Sequence, residues 1–488
     1  MGKKKNKNKV SGAVKTAVKT EKKLANKLKK ELANLGEEDI TKVIAEIERE
    51  EAKRAAASEK NLSCPPSPRA YASLTPHPLN NELIMFGGEY HNGQQTEIYN
   101  DLLFFNPVNN SWKQIKAPGA PPPRSAHQAV STPANKGELW IFGGEFTSPT
   151  ETQFYHYKDL WCFSLADKKW EKVVAPNGPS PRSGHRMVLL SRKLFIFGGY
   201  SDDGRECRYF DDLYTFCLDT RQWTKLIPNG RGPCPRSACV MLPVGNDGLI
   251  VYGGFSRVRE GRTERTQTHT DMFKLSCKGS SWSWRALSGG TTARAGQAAT
   301  VNPHSNRGYV FGGVCDVEET EEELRGEMSD ELQLLDLETC RWHPVTLKTE
   351  HVPPSVPNQV QSVSSAEILE TPVTVVTDEV FTMKLGGSTV TPMDTTVTIT
   401  PPKTKQGPSA RMSAMMAVQR SVLFVYGGVL EKDEKQFYLG DMYSLDLHKL
   451  NEWKTIIEQP MLPDWLGSDS EEDSGSESET DSDDSEED

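Results

Sequence analysis

Six glycine pairs recur in one phase along the chain, and this periodicity constrains the fold more tightly than any local signal. They are Gly87-Gly88, Gly143-Gly144, Gly198-Gly199, Gly253-Gly254, Gly312-Gly313 and Gly427-Gly428. Each closes a short apolar run and is followed by an acidic-apolar step and then by a Trp. Measured on the second glycine, the intervals are 56, 55, 55, 59 and 115 residues, so one unit repeats and the last interval is interrupted. A repeat of this length is a single supersecondary module that cannot bury its apolar face alone, so the units must stack.

The second unit shows the parts. Arg124-Ser125-Ala126-His127 opens a first strand, and Leu139 to Gly144 is a buried second strand ending in glycines. Asp159 to Leu165 alternates as a third strand, and Trp170 to Val174 reads as a fourth. Short runs of apolar and β-branched residues bounded by Gly, Pro and Asp are strand signals, and no helical period intervenes. The other units align on this one, with Arg69, Arg182, Arg236, Arg294 and Arg411 at the opening position. The closing position holds Trp112, Trp170, Trp223, Trp284 (or Trp282), Trp342 and Trp453.

Six glycine pairs in phase with Asp and Trp resemble the kelch repeat over roughly residues 64–457. The resemblance implies an all-β, six-bladed kelch β-propeller, each repeat a four-stranded blade around a central channel. Blades are expected at about 64–117, 118–176, 177–228, 229–288, 289–347 and 407–457, with an insert at 348–406. The glycine pairs then allow close backbone approach, and each Trp covers apolar area between blades. Every repeat carries its own first and fourth strand, so the ring closes by side-chain packing or by a strand near Leu62; both stay open.

The ends differ from the middle. Residues 1–60 carry 17 Lys and Arg against 10 acids, while residues 468–488 carry 12 acids and no base. The Lys-rich head, 1–36, is expected to be disordered, its first thirty residues serving import or touching RNA. Within 37–60, Ile40, Val43, Ile44 and Ile47 recur at helical spacing, predicting a short amphipathic helix docked on the propeller flank or on a partner. The acidic, Ser-rich segment 458–488 is expected to be disordered, with Ser470, Ser474, Ser476 and Ser478 as phosphorylation sites. The insert is rich in Val, Thr and Pro and suggests a loop with a hairpin from Val373–Val376 and Val397–Ile399. Nine dispersed cysteines and the lack of a long apolar run point to a reducing compartment, cytoplasm or nucleus with the nucleolus included, and no membrane span.

The repeated arginine is the sharpest functional clue. Sixfold symmetry would gather Arg69, Arg124, Arg182, Arg236, Arg294 and Arg411 on the loop-rich face, with Arg257 and Arg259 of a basic loop beside them. Clustered guanidiniums form an anion-selective mouth; the alternative is that each is paired locally to an acid or carbonyl. Peptide-binding kelch proteins contact acidic side chains through arginines on this face, so the resemblance implies the same. His127 and His185 are expected as buried strand residues. Scattered histidines without a ligand spacing, and no nucleophile elbow or phosphate loop, argue against catalysis, a cofactor or a metal.

The function expected is a monomeric, non-catalytic interaction scaffold that binds an acidic or phosphorylated protein partner. A nucleolar or ribosome-associated assembly factor, with the basic head on RNA, is the alternative. A ubiquitin-ligase substrate adaptor fits less well, because neither end has room for a cullin-recruiting domain.

Overall fold

A computed structural model describes residues 38–348 and 407–467, apart from 203, 205, 261–262, 290–293, 319–323, 433–434 and 460, together with two strands of the insert. The head before residue 38, the four tail serines and Val397–Ile399 lie outside the described residues.

Six antiparallel sheets form six blades. The inner strands are Ser73–Pro76, Gln128–Thr132, Arg186–Leu190, Val240–Val244, Ala298–Asn302 and Met415–Gln419. The second strands end at the glycine pairs except in blade six, where Val422–Lys432 runs straight through them. The outermost repeat strands carry the tryptophans. Trp284, not Trp282, is the equivalent of the others: it faces Leu275 as Trp170 faces Phe163 and Trp342 faces Leu335.

Six apolar clusters lie one between each pair of neighbouring blades. Within them, the Trp of each of blades one to five packs on the last aromatic of the neighbouring blade before it. Trp170 lies 5.4 Å from Phe86, Trp223 5.4 Å from Phe142, and Trp342 4.9 Å from Tyr252. The ring closes by the same contact, Trp112 on Tyr426 at 6.0 Å. Each second glycine also donates its N–H to the carbonyl of the next blade's arginine, as Gly144 does to Arg182 at 3.0 Å. Gly428 repeats this bond on Arg69 across the closure at 3.1 Å. Among the described residues, no strand is shared between blades six and one. The strand near Leu62, Ser58–Asn61, instead adds a fifth strand to the outer edge of blade one, pairing with Ser111–Lys116.

The glycine pair is required twice over. At Gly144 φ is +94°, a conformation side chains rarely adopt, and an added Cβ would sit 2.6 Å from the Ser125 carbonyl oxygen.

Helix Ile40–Ala52 begins at Asp39, whose carboxylate accepts from the Thr41 N–H. Its Ile40 and Ile44 are buried against Tyr157, with Phe146 beside them, on the flank of blade two. Gln153 clamps the start, accepting from Ile40 N–H at 3.1 Å and donating to the Glu38 carbonyl at 2.9 Å. At the other end, residues 461–467 do not belong with an unstructured tail as the composition suggested. Trp465 packs on His91 and Phe437, and the Leu466 N–H donates to the Asn92 carbonyl at 2.8 Å.

The insert is a separate unit, residues 348–406. It contains a hairpin of Thr374–Asp378 with Phe381–Leu385. The expected first strand overlaps the observed one, but its partner is the adjacent segment Phe381–Leu385.

Candidate functional site

The six repeated arginines do not form a free anion-binding ring. Each stands four residues before its inner strand, in the interblade loop. Arg124, Arg182, Arg236 and Arg411 are 0 % exposed, Arg69 2 % and Arg294 9 %. Each meets an acid of its own blade: Asp101, Asp159, Asp212, Asp271, Glu331 and Asp441. Arg182 is typical. Its two terminal nitrogens donate to the Asp212 oxygens at 2.6 and 3.2 Å, and one also donates to the Gly198 carbonyl at 3.0 Å. Rings of Tyr99, Tyr157 and Phe210 cover Arg69, Arg124 and Arg182 at 4.1, 4.0 and 4.1 Å. A buried charge persists only when paired, and here the carboxylates are held too. Burial opposes ionisation of Asp159, but Arg124 and the Trp161 N–H outweigh it and keep its pKa below the ordinary value.

His127 and His185 are buried as expected, at 1 % and 0 % exposure. Burial, with Arg124 next, drives His127 down to about 3, so it stays neutral. The basic loop of blade four is a hairpin, Phe255–Glu260 with Thr263–Thr268. Arg257 is exposed on it at the channel rim. Arg259 is on the same strand, its side chain outside the described residues.

Every blade extends such a hairpin from the glycine pair, a feature the sequence reading left as loops. Together the hairpins surround one end of a central channel of about 1210 Å³. Five charged groups missed from sequence line it, Asp202 and Arg420 among them. Glu89 and Glu145 follow the glycine pairs of blades one and two. Tyr438 donates to Glu89 at 3.0 Å, and Tyr200 donates to Glu145 at 3.0 and 3.1 Å. Burial, and then the charge of Glu89, pushes Glu145 up to about 7; burial also raises Glu89. His156 lies 3.4 Å from Glu145 but supplies no cation, since burial lowers it to about 4. Its Nε2 accepts from the Asp202 N–H at 3.0 Å, leaving Nδ1 to donate to Ser183 Oγ at 2.7 Å.

Arg186 is the third group, at the start of the inner strand of blade three. Its Nε donates to the Cys239 carbonyl and its Nη1 to the His185 carbonyl at 3.4 Å. No carboxylate pairs with it among the described residues, and burial lowers its pKa. Nearby on the channel wall, Ser237 Oγ and Gln297 Oε1 have no hydrogen-bond partner, with the residues 1 % and 4 % exposed. Among the described residues, no group of three or more His, Cys, Asp or Glu is placed to hold a metal ion, and no helix is long and apolar enough to cross a membrane.

Comparisons place this architecture among known proteins. The Kelch-repeats domain model described for KLHDC2, KLHL20 and DRC7 matches residues 70–313, 211–369 and 260–465. Host cell factor of Drosophila melanogaster is 29 % identical over 302 residues, covering 56 % of this chain and 18 % of that protein. Kelch domain-containing protein 2 of Bos taurus is 29 % identical over 198 residues, covering 36 % of this chain and 46 % of that one. The chain thus spans less than half the length of these relatives. The solved structure of YjhT superposes with a TM-score of 0.50 at 15 % identity, covering 81 % of this chain and 99 % of that one, a likeness of fold. With the family model matching across all six blades, the chain belongs to the Kelch-repeat family.

Proposed function

We propose that the protein is a non-catalytic interaction scaffold that receives a protein partner on the hairpin-bearing face of its propeller. The observation that carries this reading is the channel mouth itself. It is ringed by side chains that a partner could cover, including Phe154 at 50 % exposure and the exposed Arg257. Large aromatic and Arg side chains at a concave centre are the residue types that dominate binding energy. An acidic or phosphorylated group of the partner is received by Arg257 and Arg186, since the six repeated arginines are consumed inside the blades. Membership of a family of repeat domains supports the scaffold reading. Proximity labelling with wild type and with a Phe154→Ala/Arg257→Ala double variant tests it. Partners labelled by wild type are expected to be depleted in the variant; an unchanged set would discard this face as the interface.

A second reading rests on the head, where the first thirty residues hold twelve Lys and one acid. Such a block binds the phosphate backbone of RNA in a salt-dependent way, as in a nucleolar or ribosome-associated assembly factor. Deleting residues 1–30 is then expected to abolish RNA co-purification while leaving the protein partners of the propeller in place.

A further inference from the structure

The channel mouth is electrically divided. On the side of blades one and two stand Glu89 and Glu145, half-buried carboxyls held by tyrosine hydroxyls and facing no charged base that pairs with them among the described residues. On the side of blades three and four stands Arg186, a guanidinium donating to two backbone carbonyls, with Asp202 of blade three also lining the channel. Among the described residues, each of the six buried repeat arginines has its acid. Arg186 and the two glutamates are only half-buried and lack that pairing, and all three line one cavity. Repeat symmetry does not require any of them. The position of Arg186 is Ser73, Gln128, Val240, Ala298 and Met415 in the other blades, and that of the glutamates is Tyr200, Phe255, Val314 and Val429.

We propose that this mouth is a binding site for a bipolar peptide element, an acidic and a basic side chain presented together. The acidic group docks on Arg186 with Ser237 Oγ as a further donor, and the basic group docks on Glu89 and Glu145. The partnerless Ser237 hydroxyl completes the anion side, and the partnerless Oε1 of Gln297, also on the channel wall, can accept a backbone N–H of the docked element. Both are nine-tenths buried on the channel wall, so each gains a hydrogen bond that the protein alone does not supply. A purely acidic ligand would satisfy Arg186 but press its remaining charge against Glu89 and Glu145. A purely basic one would do the reverse. This inference rests on the scaffold reading and names the chemistry its face selects.

The test uses the full chain and three capped dipeptides, acetyl-Lys-Glu-amide, acetyl-Gln-Glu-amide and acetyl-Lys-Gln-amide, titrated by ligand-observed NMR. Wild type is expected to prefer Lys-Glu over either single-charge probe by about fivefold or more, the scale of one charge-assisted hydrogen bond. Arg186→Met should erase the preference over Lys-Gln alone, and Glu145→Gln should reduce the preference over Gln-Glu alone. Arg186→Lys, which keeps the charge, should restore part of the first preference and guards against a folding defect. Equal binding of all three probes by wild type overturns the proposal, as does an Arg186→Met protein, folded by circular dichroism, with wild-type preferences. If the probes fail while the Phe154→Ala/Arg257→Ala variant still loses partners, the scaffold reading stands and only the bipolar site falls.

Discussion

Arg182 and Arg186 lie four residues apart on the same blade, the first fully buried and the second half-buried on the channel wall. Arg182 is tied to Asp212 and the Gly198 carbonyl, and it repeats in every blade. Arg186 has no acid and no counterpart. Burial alone therefore says little about a charge; the company it keeps separates a strut from a reader of ligands. The same contrast holds for the carboxylates, since Asp212 is half of an ion pair whereas Glu145 leans on a neutral phenol.

Mutation should pull this contrast apart. Arg182→Met leaves Asp212 without its partner and should cost about 3–5 kcal/mol, while Arg186→Met should cost less than about 1 kcal/mol. Chemical denaturation of the two variants checks this, and equal losses would mean that Arg186 is a structural residue after all. Next in size is the glycine pair. Gly144→Ala places a Cβ against the Ser125 carbonyl in a strained conformation and should cost on the order of 2–3 kcal/mol. Gly279→Ala, at φ +64° with nothing within 4 Å, is the control for backbone strain alone and should cost about 1 kcal/mol.

Glu145 supplies a pH signature that the paired acids lack. Its folded pKa of about 7 lies above the ordinary value, so the native state holds a proton the unfolded chain releases. Stability should therefore fall as pH rises from about 4.5 to about 7 and then level off. Glu145→Gln should stabilise the protein by about 2 kcal/mol above pH 7 and leave it unchanged below pH 4, because burial without a cation penalises only the charged form. Urea midpoints at the two pH values read this directly. A Glu145→Gln protein with the same profile as wild type would place the proton elsewhere. The smallest effect belongs to the docked helix: Ile44→Ala removes half of its buried contact and should loosen it by about 1 kcal/mol. Faster proteolysis before residue 58, with an unchanged propeller midpoint, is the outcome to look for.

The blade count and the strands were legible because Gly-Gly, Asp and Trp keep one phase, and phase survives substitutions that blur any single strand. The Arg-Asp pairs were legible in the same way, since both residues recur together, although in blade five Glu331 replaces the neighbouring Asp330. Reading the arginines as a ring on the face set symmetry above the cost of leaving six repeated acids without partners. The channel charges were not legible. Glu89 and Glu145 share one repeat position that is not acidic in the other four blades, Arg186 stands at a position that varies from blade to blade, and only closure of the ring brings them to one cavity. The hairpins were missed because their strands are as short as three residues, Glu145–Thr147 for example, and stand by packing on neighbours rather than by their own propensity.

The seam between blades six and one repeats the contacts that join the other blades, with Trp465 added across Phe437 and His91, and among the described residues no strand crosses it. Nothing in the topology thus marks where the polypeptide must start. Joining the ends and cutting at another blade boundary should yield a protein that still folds. Conversely, traction on the two ends of the natural chain would be borne at this seam by noncovalent contacts alone, making it the place where the circle first parts.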